Sequence, residues 1–346
     1  METLTRAHQL ALATDDEWAI ARCQTLIGMA AAICREPDLY YRHTEGLPAR
    51  LERLGDLETL GLYWTWAADV AHTAGDLQRA REACQQLLQA GRAIDSPSQY
   101  YAGLEQARLL DAESGRAGAA VEDLRSIQSI ATERGLAVAP WAVISRATAE
   151  AACGHLGVAA IELESLLDAQ AGSTIDALIW ATTTLAEVLR LQGDDRAGER
   201  ARRGLELARS IDNRFRIAGN QLVLVRLAAA GGDWAAARQT LDEALKAIVE
   251  RGYRLELPRA LEARAEVAWG LERQPEAARL LGAAARTRRD LGLVAWPAQR
   301  AEVDALTRRL RDALGDHDFE QARRAHSALT EAELLSWMRP ERGLGR

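Results

Sequence analysis

Apolar residues recur at three- and four-residue spacing along most of the chain, in stretches of about three to four turns such as 179–191 and 221–230. This spacing places the apolar side chains on one face of a helix. No segment keeps the strict apolar–polar alternation of a half-buried strand, so we expect no sheet. The pattern therefore predicts a wholly helical chain.

Short glycine turns separate the apolar stretches at a nearly constant interval. The sequence Gly75-Asp76-Leu77-Gln78-Arg79-Ala80 has counterparts that begin at Gly115, Gly154, Gly193 and Gly232, so the glycines are 40, 39, 39 and 39 residues apart. A weaker sixth copy begins at Arg273, and a degenerate earlier copy is Glu36-Pro37-Asp38. An internal period of this length is typical of stacked helical repeats.

Each position of the repeated turn has a physical role. Glycine reaches the left-handed conformation that ends a helix, and the following Asp caps the next helix. A small residue five positions after the glycine allows the two helices of a pair to approach closely. The residues at that position are Ala80, Ala120, Ala159, Gly198, Ala237 and Ala278.

The repeating unit is a helix, a tight turn, a second helix and a longer linker. This arrangement predicts an all-α, right-handed α-α superhelix of about six or seven helix pairs. We expect the repeats to occupy residues 1–296. Residues 297–346 would form a C-terminal helical cap and tail, with the cap running from about Pro297 to Arg339. Such a cap covers the apolar face that the last repeat would otherwise expose.

Composition narrows the class of protein. Hydrophobic residues make up 48% of the 346 positions, which is enough to bury a large core and excludes a disordered chain. The formal net charge is −7, with acids and bases interspersed, so direct binding of nucleic acid is not expected. No apolar run is long enough to span a membrane, and no secretory signal begins the sequence. Four scattered cysteines fit a reducing cytoplasm.

The Gly-Asp-x-x-x-Ala turn resembles the tetratricopeptide repeat, whose usual period is 34 residues. The longer unit of this chain resembles the variant in MalT-like and LuxR-type bacterial regulators. The segment Glu276-Ala277-Ala278-Arg279-Leu280-Leu281-Gly282-Ala283-Ala284 resembles the one that closes the repeat region of many such regulators. Ala328-Leu329-Thr330 resembles the start of the helix that follows it in that family.

This resemblance implies a sensor or scaffold region that binds a protein, a peptide or a small-molecule effector and acts on an attached or partner regulator module. Relatives usually carry an ATPase module, whose phosphate loop needs a lysine in a glycine-rich frame. The single lysine, Lys246, lies in an Ala/Leu-rich stretch without that frame. Residues 338–346 are too few for a DNA-binding helix pair. We therefore expect the sensor region alone, as a fragment, a truncated gene product or a standalone adaptor.

The sequence contains no recognisable catalytic motif. None of the six histidines has metal-ligand spacing, and no nucleophile motif occurs, so we expect no enzyme activity, metal or cofactor. Binding in the concave groove is the expected function, since first helices of such solenoids face that side. The polar candidates for the groove are Arg108, Arg146, Glu150, Glu187, Arg190, Asn220, Arg226 and Arg264.

The sequence leaves the role of two tryptophans undecided and allows two alternative functions. Trp141 and Trp180 are 39 residues apart and either pack repeats together or line the groove. One alternative function is a standalone scaffold or peptide receptor. The other is a helical-repeat enzyme, which a deep closed cavity with converging ionisable groups would favour and an open groove would disfavour.

Overall fold

The computed structural model describes residues 2–169, 173–325 and 333. Within these residues the chain is helical and contains no strand. The helices are α1 (Glu2–Thr14), α2 (Glu17–Ile33), α3 (Pro37–His43), α4 (Leu47–Leu54), α5 (Leu57–Thr73), α6 (Leu77–Ala93), α7 (Pro97–Asp111), α8 (Ala117–Glu133), α9 (Pro140–Cys153), α10 (Leu156–Ala169), α11 (Ile175–Gln192), α12 (Ala197–Ser210), α13 (Arg214–Ala230), α14 (Trp234–Arg251), α15 (Leu257–Gly270), α16 (Gln274–Leu291), α17 (Pro297–Leu314) and α18 (Asp316–Ala325). A π-helical turn at Ala112–Arg116 joins α7 to α8, and a 3₁₀ turn at Arg254–Glu256 precedes α15.

The predicted helix pairs are confirmed. The repeated glycine turns lie between α5 and α6, α7 and α8, α9 and α10, α11 and α12, and α13 and α14. Gly75 ends α5 with φ +75°. Asp76 then accepts a hydrogen bond of 3.0 Å from the backbone N–H of Arg79 and so caps α6. The all-α solenoid expected from the sequence is the fold of the chain.

The small residues of the second helices are buried as expected in five of the six repeats. Ala80, Ala159, Ala237 and Ala278 are 0% exposed, and Ala120 is 1% exposed. In the remaining repeat the prediction for Gly198 is wrong by one residue, because the fully buried position is Ala197. The helix α12 begins four residues after its turn glycine, whereas α6 begins two residues after Gly75, and this shifts the packed face.

The N-terminal helices follow the repeat less regularly. Between α2 and α3, the N–H groups of Arg35 and Glu36 donate to the carbonyls of Ala32 and Ala31 at 3.0 and 2.9 Å. This is the backbone pattern of the glycine turns, and Arg35 adopts the left-handed conformation with φ +57°. An arginine therefore occupies the turn-glycine position, 40 residues before Gly75.

The superhelix bends far enough for distant repeats to touch. The amide of Asn213, in the turn between α12 and α13, donates to the carbonyl of Ile33 at 3.1 Å. The guanidinium of Arg251 pairs with the carboxylate of Glu36 at 2.6 Å. The turn after α2 thus closes against repeats that follow it by about 180 residues.

The C-terminal helices complete the concave side. Leu306, Leu310 and Phe319 are buried in the same apolar cluster as α15 and α16. Before α17, the backbone N–H of Val294 donates to the carbonyl of Glu113 at 2.8 Å. The chain from 293 to 302 therefore runs along the inner face of earlier repeats. The predicted end of the cap near Arg339 and the Ala328-Leu329-Thr330 segment lie outside the described residues.

Candidate functional site

Trp180 of α11 lies at the centre of the closed interior. Its ring is T-shaped to that of Trp141 on α9, with 5.4 Å between the ring centroids. The guanidinium carbon of Arg216 lies 3.8 Å from the Trp180 ring centroid, and that of Arg35 lies 5.5 Å from it. Trp180 lines two cavities, so its indole packs repeats together and also forms a wall for each cavity.

Arg35 joins the N-terminal turn to the middle of the solenoid. Its guanidinium pairs with Asp69 of α5 at 2.9 Å and with Asp176 of α11 at 3.0 Å. The side chain is 1% exposed. Burial alone would lower the pKa of Arg35, but the two carboxylates outweigh it and raise the pKa well above its ordinary value. A single buried cation therefore holds together three elements that are distant in sequence.

The larger of these two cavities, the apolar cavity, has a volume of about 410 Å³ and is lined by α2, α5, α7, α9 and α11. Its lining residues are Met29, Ile33, Thr65, Trp66, Asp69, Ala102, Glu105, Gln106, Leu109, Trp141, Ile144, Ser145, Thr174, Ile175, Asp176 and Trp180. This volume lies within the range of pockets that hold small organic ligands.

Glu105 is the unusual residue of the apolar cavity. It is 8% exposed, and its carboxylate has neither a hydrogen-bond nor an ion-pair partner within the described part of the chain. Burial raises the pKa of Glu105 to about 7. A buried polar group without a partner costs free energy, and a charged one costs more. The cavity is therefore lined by a carboxyl that a ligand could satisfy.

The smaller cavity, the polar cavity, lies on the other side of Trp180 and has a volume of about 110 Å³. Arg216 lines it together with the hydroxyl side chains of Thr183 and Thr184. Among the described residues the Arg216 side chain forms no ion pair, and its Nε has no hydrogen-bond partner. Burial and the nearby Arg35 guanidinium lower the pKa of Arg216 to about 9, so it stays charged at neutral pH.

An ion-pair network, the α17 ladder, closes the far side of the polar cavity. Glu187 pairs with Arg190 at 2.9 Å, and Arg190 pairs with Glu302 of α17 at 2.7 Å. The amide of Gln299 donates to Glu187 at 2.9 Å. Burial alone would raise the pKa of Glu187, but Arg190 and Arg259 outweigh it and hold the pKa well below its ordinary value. Arg226 lies 4.0 Å from Glu302 and so joins the same network. Three of the predicted groove residues, Glu187, Arg190 and Arg226, therefore belong to the α17 ladder.

The predicted groove residues of the earlier repeats pair within their own repeat. Arg108 on α7 pairs with Asp123 on α8 at 3.0 Å. Arg146 on α9 pairs with Glu162 on α10 at 3.0 Å. These arginines tie the first helix of each pair to the second and line neither of the cavities beside Trp180.

Glu150, Asn220 and Arg264 also make intramolecular contacts. Glu150 is fully buried and pairs with Arg125 at 2.5 Å and with His155 at 2.8 Å. Asn220 donates to the hydroxyl of Thr183 at 2.8 Å. Arg264 lies 3.8 Å from Glu276. The structure therefore brings Glu187, Arg190 and Arg226 together and leaves the other five candidates apart.

Sequence reasoning missed the residues that surround Trp180: Arg35, Asp69, Glu105, Asp176 and Arg216. A signal existed for Arg35, because an arginine at the position of a turn glycine adopts a costly backbone conformation. A weaker one existed for Glu105. Together with Ala102, Gln106 and Leu109 it forms the i, i+3, i+4, i+7 face of α7 that lines the apolar cavity.

Among residues 2–169, 173–325 and 333, no group of three or more His, Cys, Asp or Glu side chains could hold a metal ion. In the same residues, no helix is long and apolar enough to cross a membrane.

Comparison with known proteins gives one consistent similarity in sequence. No family model matches the chain. Two proteins of Mycobacterium tuberculosis and one of Mycobacterium bovis, all provisionally named HTH-type transcriptional regulators, are each 25% identical to it over 343 residues. The alignments cover 97% of this chain and 38% of each relative. The chain thus spans less than half the length of these regulators.

A solved structure gives a looser similarity. The apo form of the quorum sensor NprR from B. thuringiensis superposes with a TM-score of 0.46 and 14% sequence identity. The superposition covers 92% of this chain and 98% of the other. The chain is thus a helical-repeat solenoid, and its sequence is similar to provisionally named transcriptional regulators.

Proposed function

We propose that this chain is the non-catalytic, ligand-sensing region of a cytoplasmic bacterial transcriptional regulator of the LuxR type. The effector binds inside the closed superhelix, beside Trp180. One observation carries the proposal: Glu105 and Arg216 are buried, face separate cavities and have no charged partner in hydrogen-bond reach among the described residues. Sequence similarity to provisionally named regulators over almost the whole chain supports the regulatory role.

Glu105 and Arg216 differ from two other buried charged side chains nearby, each of which has partners. Arg35 has two carboxylates, and Glu187 has Arg190 and Gln299. A buried charge without a partner is destabilising, whereas a ligand that completes the pairing removes that cost. Unpaired buried groups beside a cavity are typical of a binding site.

The geometry also supplies a route from the cavity to an attached module. The apolar cavity lies between α2, α5 and α7 on one side and α11 on the other, and Arg35 links the same elements. A ligand that binds the closed superhelix more tightly than a more open one shifts the population toward closure. Because α17 contacts α11 and α13 through Glu302, a change in curvature also moves the C-terminal helices.

The enzyme alternative gains one argument, since ionisable groups converge around both cavities. Glu105 and Arg216, however, line different cavities, and Trp180 forms a wall of both. They cannot act on the same reacting atom. Catalytic acid–base work needs groups within hydrogen-bond reach of one substrate position. Binding is therefore the function that this geometry favours.

An extended peptide or protein segment in the concave groove is the other candidate. Val294 is hydrogen-bonded to Glu113, and Gln299 and Glu302 contact α11, so this part of the chain already occupies the inner face. The two cavities beside Trp180 have volumes of about 410 and 110 Å³. A small-molecule effector fits that space better than an extended segment.

A thermal-shift screen of small metabolites tests the proposal. Compounds that raise the melting temperature of the wild-type chain should fail to do so in Ala102→Trp, because Ala102 lines the apolar cavity. Ala119→Trp, at an exposed position on α8, is the matched control and should respond like the wild type. Mass spectrometry of the incubated compounds should find no product. Hits that are indifferent to Ala102→Trp, or that are converted to product, would contradict the proposal.

A further inference from the structure

The charged groups that line the apolar cavity all have the same sign. Its ionisable lining residues are Asp69, Glu105 and Asp176, and every one is an acid. Asp69 and Asp176 share the guanidinium of Arg35. One buried cation therefore serves two carboxylates, and a third carboxyl, Glu105, has no partner among the described residues.

The walls of the cavity are aromatic and aliphatic. Trp66, Trp141 and Trp180 contribute three indole rings, and Ile33, Leu109 and Ile144 contribute branched aliphatic side chains. The face of an indole attracts a cation, and the attraction grows when water is excluded. The aliphatic walls favour an apolar body on the same ligand.

From these features we propose that the apolar cavity binds a small organic cation, an ammonium or guanidinium group attached to an apolar body. Glu105 is its counter-ion and the indoles of Trp66, Trp141 and Trp180 are its aromatic walls. This inference rests on the proposed sensing function and specifies its ligand class.

Three properties of the site agree with this ligand class. Burial makes the charged form of Glu105 unfavourable and so raises its pKa. A bound cation would neutralise the carboxylate and remove that free-energy cost. An anion would meet three acids and one already shared cation. A neutral apolar molecule would fill the volume but leave Glu105 without a partner.

The polar cavity does not compete for this ligand. Its unpaired group is the Arg216 guanidinium, which repels a cation. Its volume, about 110 Å³, is also roughly a quarter of that of the apolar cavity. The two cavities thus differ in both the sign of the unpaired charge and the size of the ligand they accept.

Three probes of nearly equal shape test the charge preference: 2-phenylethylamine, 2-phenylethanol and phenylacetate. Titration calorimetry at about pH 8, where Glu105 is ionised, measures binding of each to the wild-type chain. We expect the amine to bind roughly tenfold or more tightly than the alcohol and phenylacetate to bind least, because only the amine supplies a charged hydrogen-bond donor. Equal binding of the amine and the alcohol would overturn the inference.

Variants assign the effect to the cavity. Glu105→Gln keeps the shape of the side chain and should remove the preference for the amine, whereas Glu122→Gln, at an exposed position on α8, should keep it. Loss of amine binding in Ala102→Trp places the amine in the cavity, and unchanged amine binding in Glu105→Gln would overturn the inference. The probes on the wild-type chain give a result even if a variant fails to fold.

The failures of the two proposals are distinguishable. If metabolite hits depend on Ala102 but the amine has no advantage over the alcohol, the sensing function stands and the ligand class is wrong. If the amine binds through Glu105 and is chemically converted, the ligand class stands and the non-catalytic function is wrong.

Discussion

The two cavities beside Trp180 share one wall and differ in the charge they leave unpaired. The apolar cavity has a buried carboxyl, Glu105, and the polar cavity has a buried guanidinium, Arg216. Both belong to the same repetitive scaffold of helix pairs. The comparison shows that first helices of one repetitive scaffold can present buried side chains of opposite charge to two neighbouring cavities.

The largest expected effect tests the charge balance of the apolar cavity. Arg35→Met leaves Asp69 and Asp176 buried without their shared cation. We expect a loss of about 3–5 kcal/mol in the free energy of unfolding, measured by urea denaturation, because breaking a buried ion pair leaves uncompensated charge. Arg134→Met, at an exposed position, should change it little. Equal stability of the two variants would show that Arg35 does not hold the interior closed.

The second effect is the pH dependence of stability that Glu105 gives to the apolar cavity. Burial raises the pKa of Glu105 from 4.5 to about 7, so in this pH interval the folded chain holds a proton that the unfolded chain has lost. Stability from this group is present below about pH 4.5 and is lost as the pH rises through about 7. Glu105→Gln should therefore be more stable than the wild type above pH 7, by up to about 3 kcal/mol, and similar to it below pH 4.5.

Denaturant unfolding of the wild type and of Glu105→Gln over this pH range measures the difference. Asp69, Asp176 and Arg35 are the other charged groups near the cavity and are the same in both proteins. A difference that does not vary with pH would mean that Glu105 is not protonated in the folded chain at neutral pH.

The third effect compares two arginines that contact the same indole. Arg216→Met removes a guanidinium that stacks on Trp180 but has no ion pair among the described residues. We expect a change within about 1 kcal/mol, since loss of an unpaired buried charge offsets the lost stacking. A loss as large as that of Arg35→Met would indicate that Arg216 has a strong partner, and the polar cavity would then lack an unpaired charge.

The smallest expected effect concerns the α17 ladder. Glu302 is 36% exposed on its side chain, so solvent weakens its pairing with Arg190. Glu302→Gln should reduce stability by no more than about 1 kcal/mol, while backbone amides at the start of α17 exchange hydrogen faster. Unchanged exchange would show that the ladder does not hold α17 against α11.

The repeat architecture was predictable because its determinants are local. A glycine with positive φ, an Asp cap and a buried alanine are recognised within ten residues, as at Gly75, Asp76 and Ala80. The error at Gly198 is also local, since the turn of that repeat is longer and moves the buried position to Ala197. Local rules therefore describe the helix pairs but depend on the length of each turn.

The interior was largely unpredictable because it depends on how far the superhelix bends. Arg35 and Asp176 are 141 residues apart in sequence and meet only because the solenoid closes on itself. Curvature is the sum of small rotations between repeats, which no single motif encodes. The sequence accordingly pointed to Glu187, Arg190 and Arg226, which the structure brings together near α17, but not to the residues around Trp180.

The most direct measurement is a crystal structure of the chain with the compound that raises its melting temperature most. We expect ordered ligand density in the apolar cavity, with a positively charged group near the Glu105 carboxylate and an apolar body against Trp66 and Trp141. Ligand density on the outer surface, with only water in the apolar cavity, would contradict this expectation.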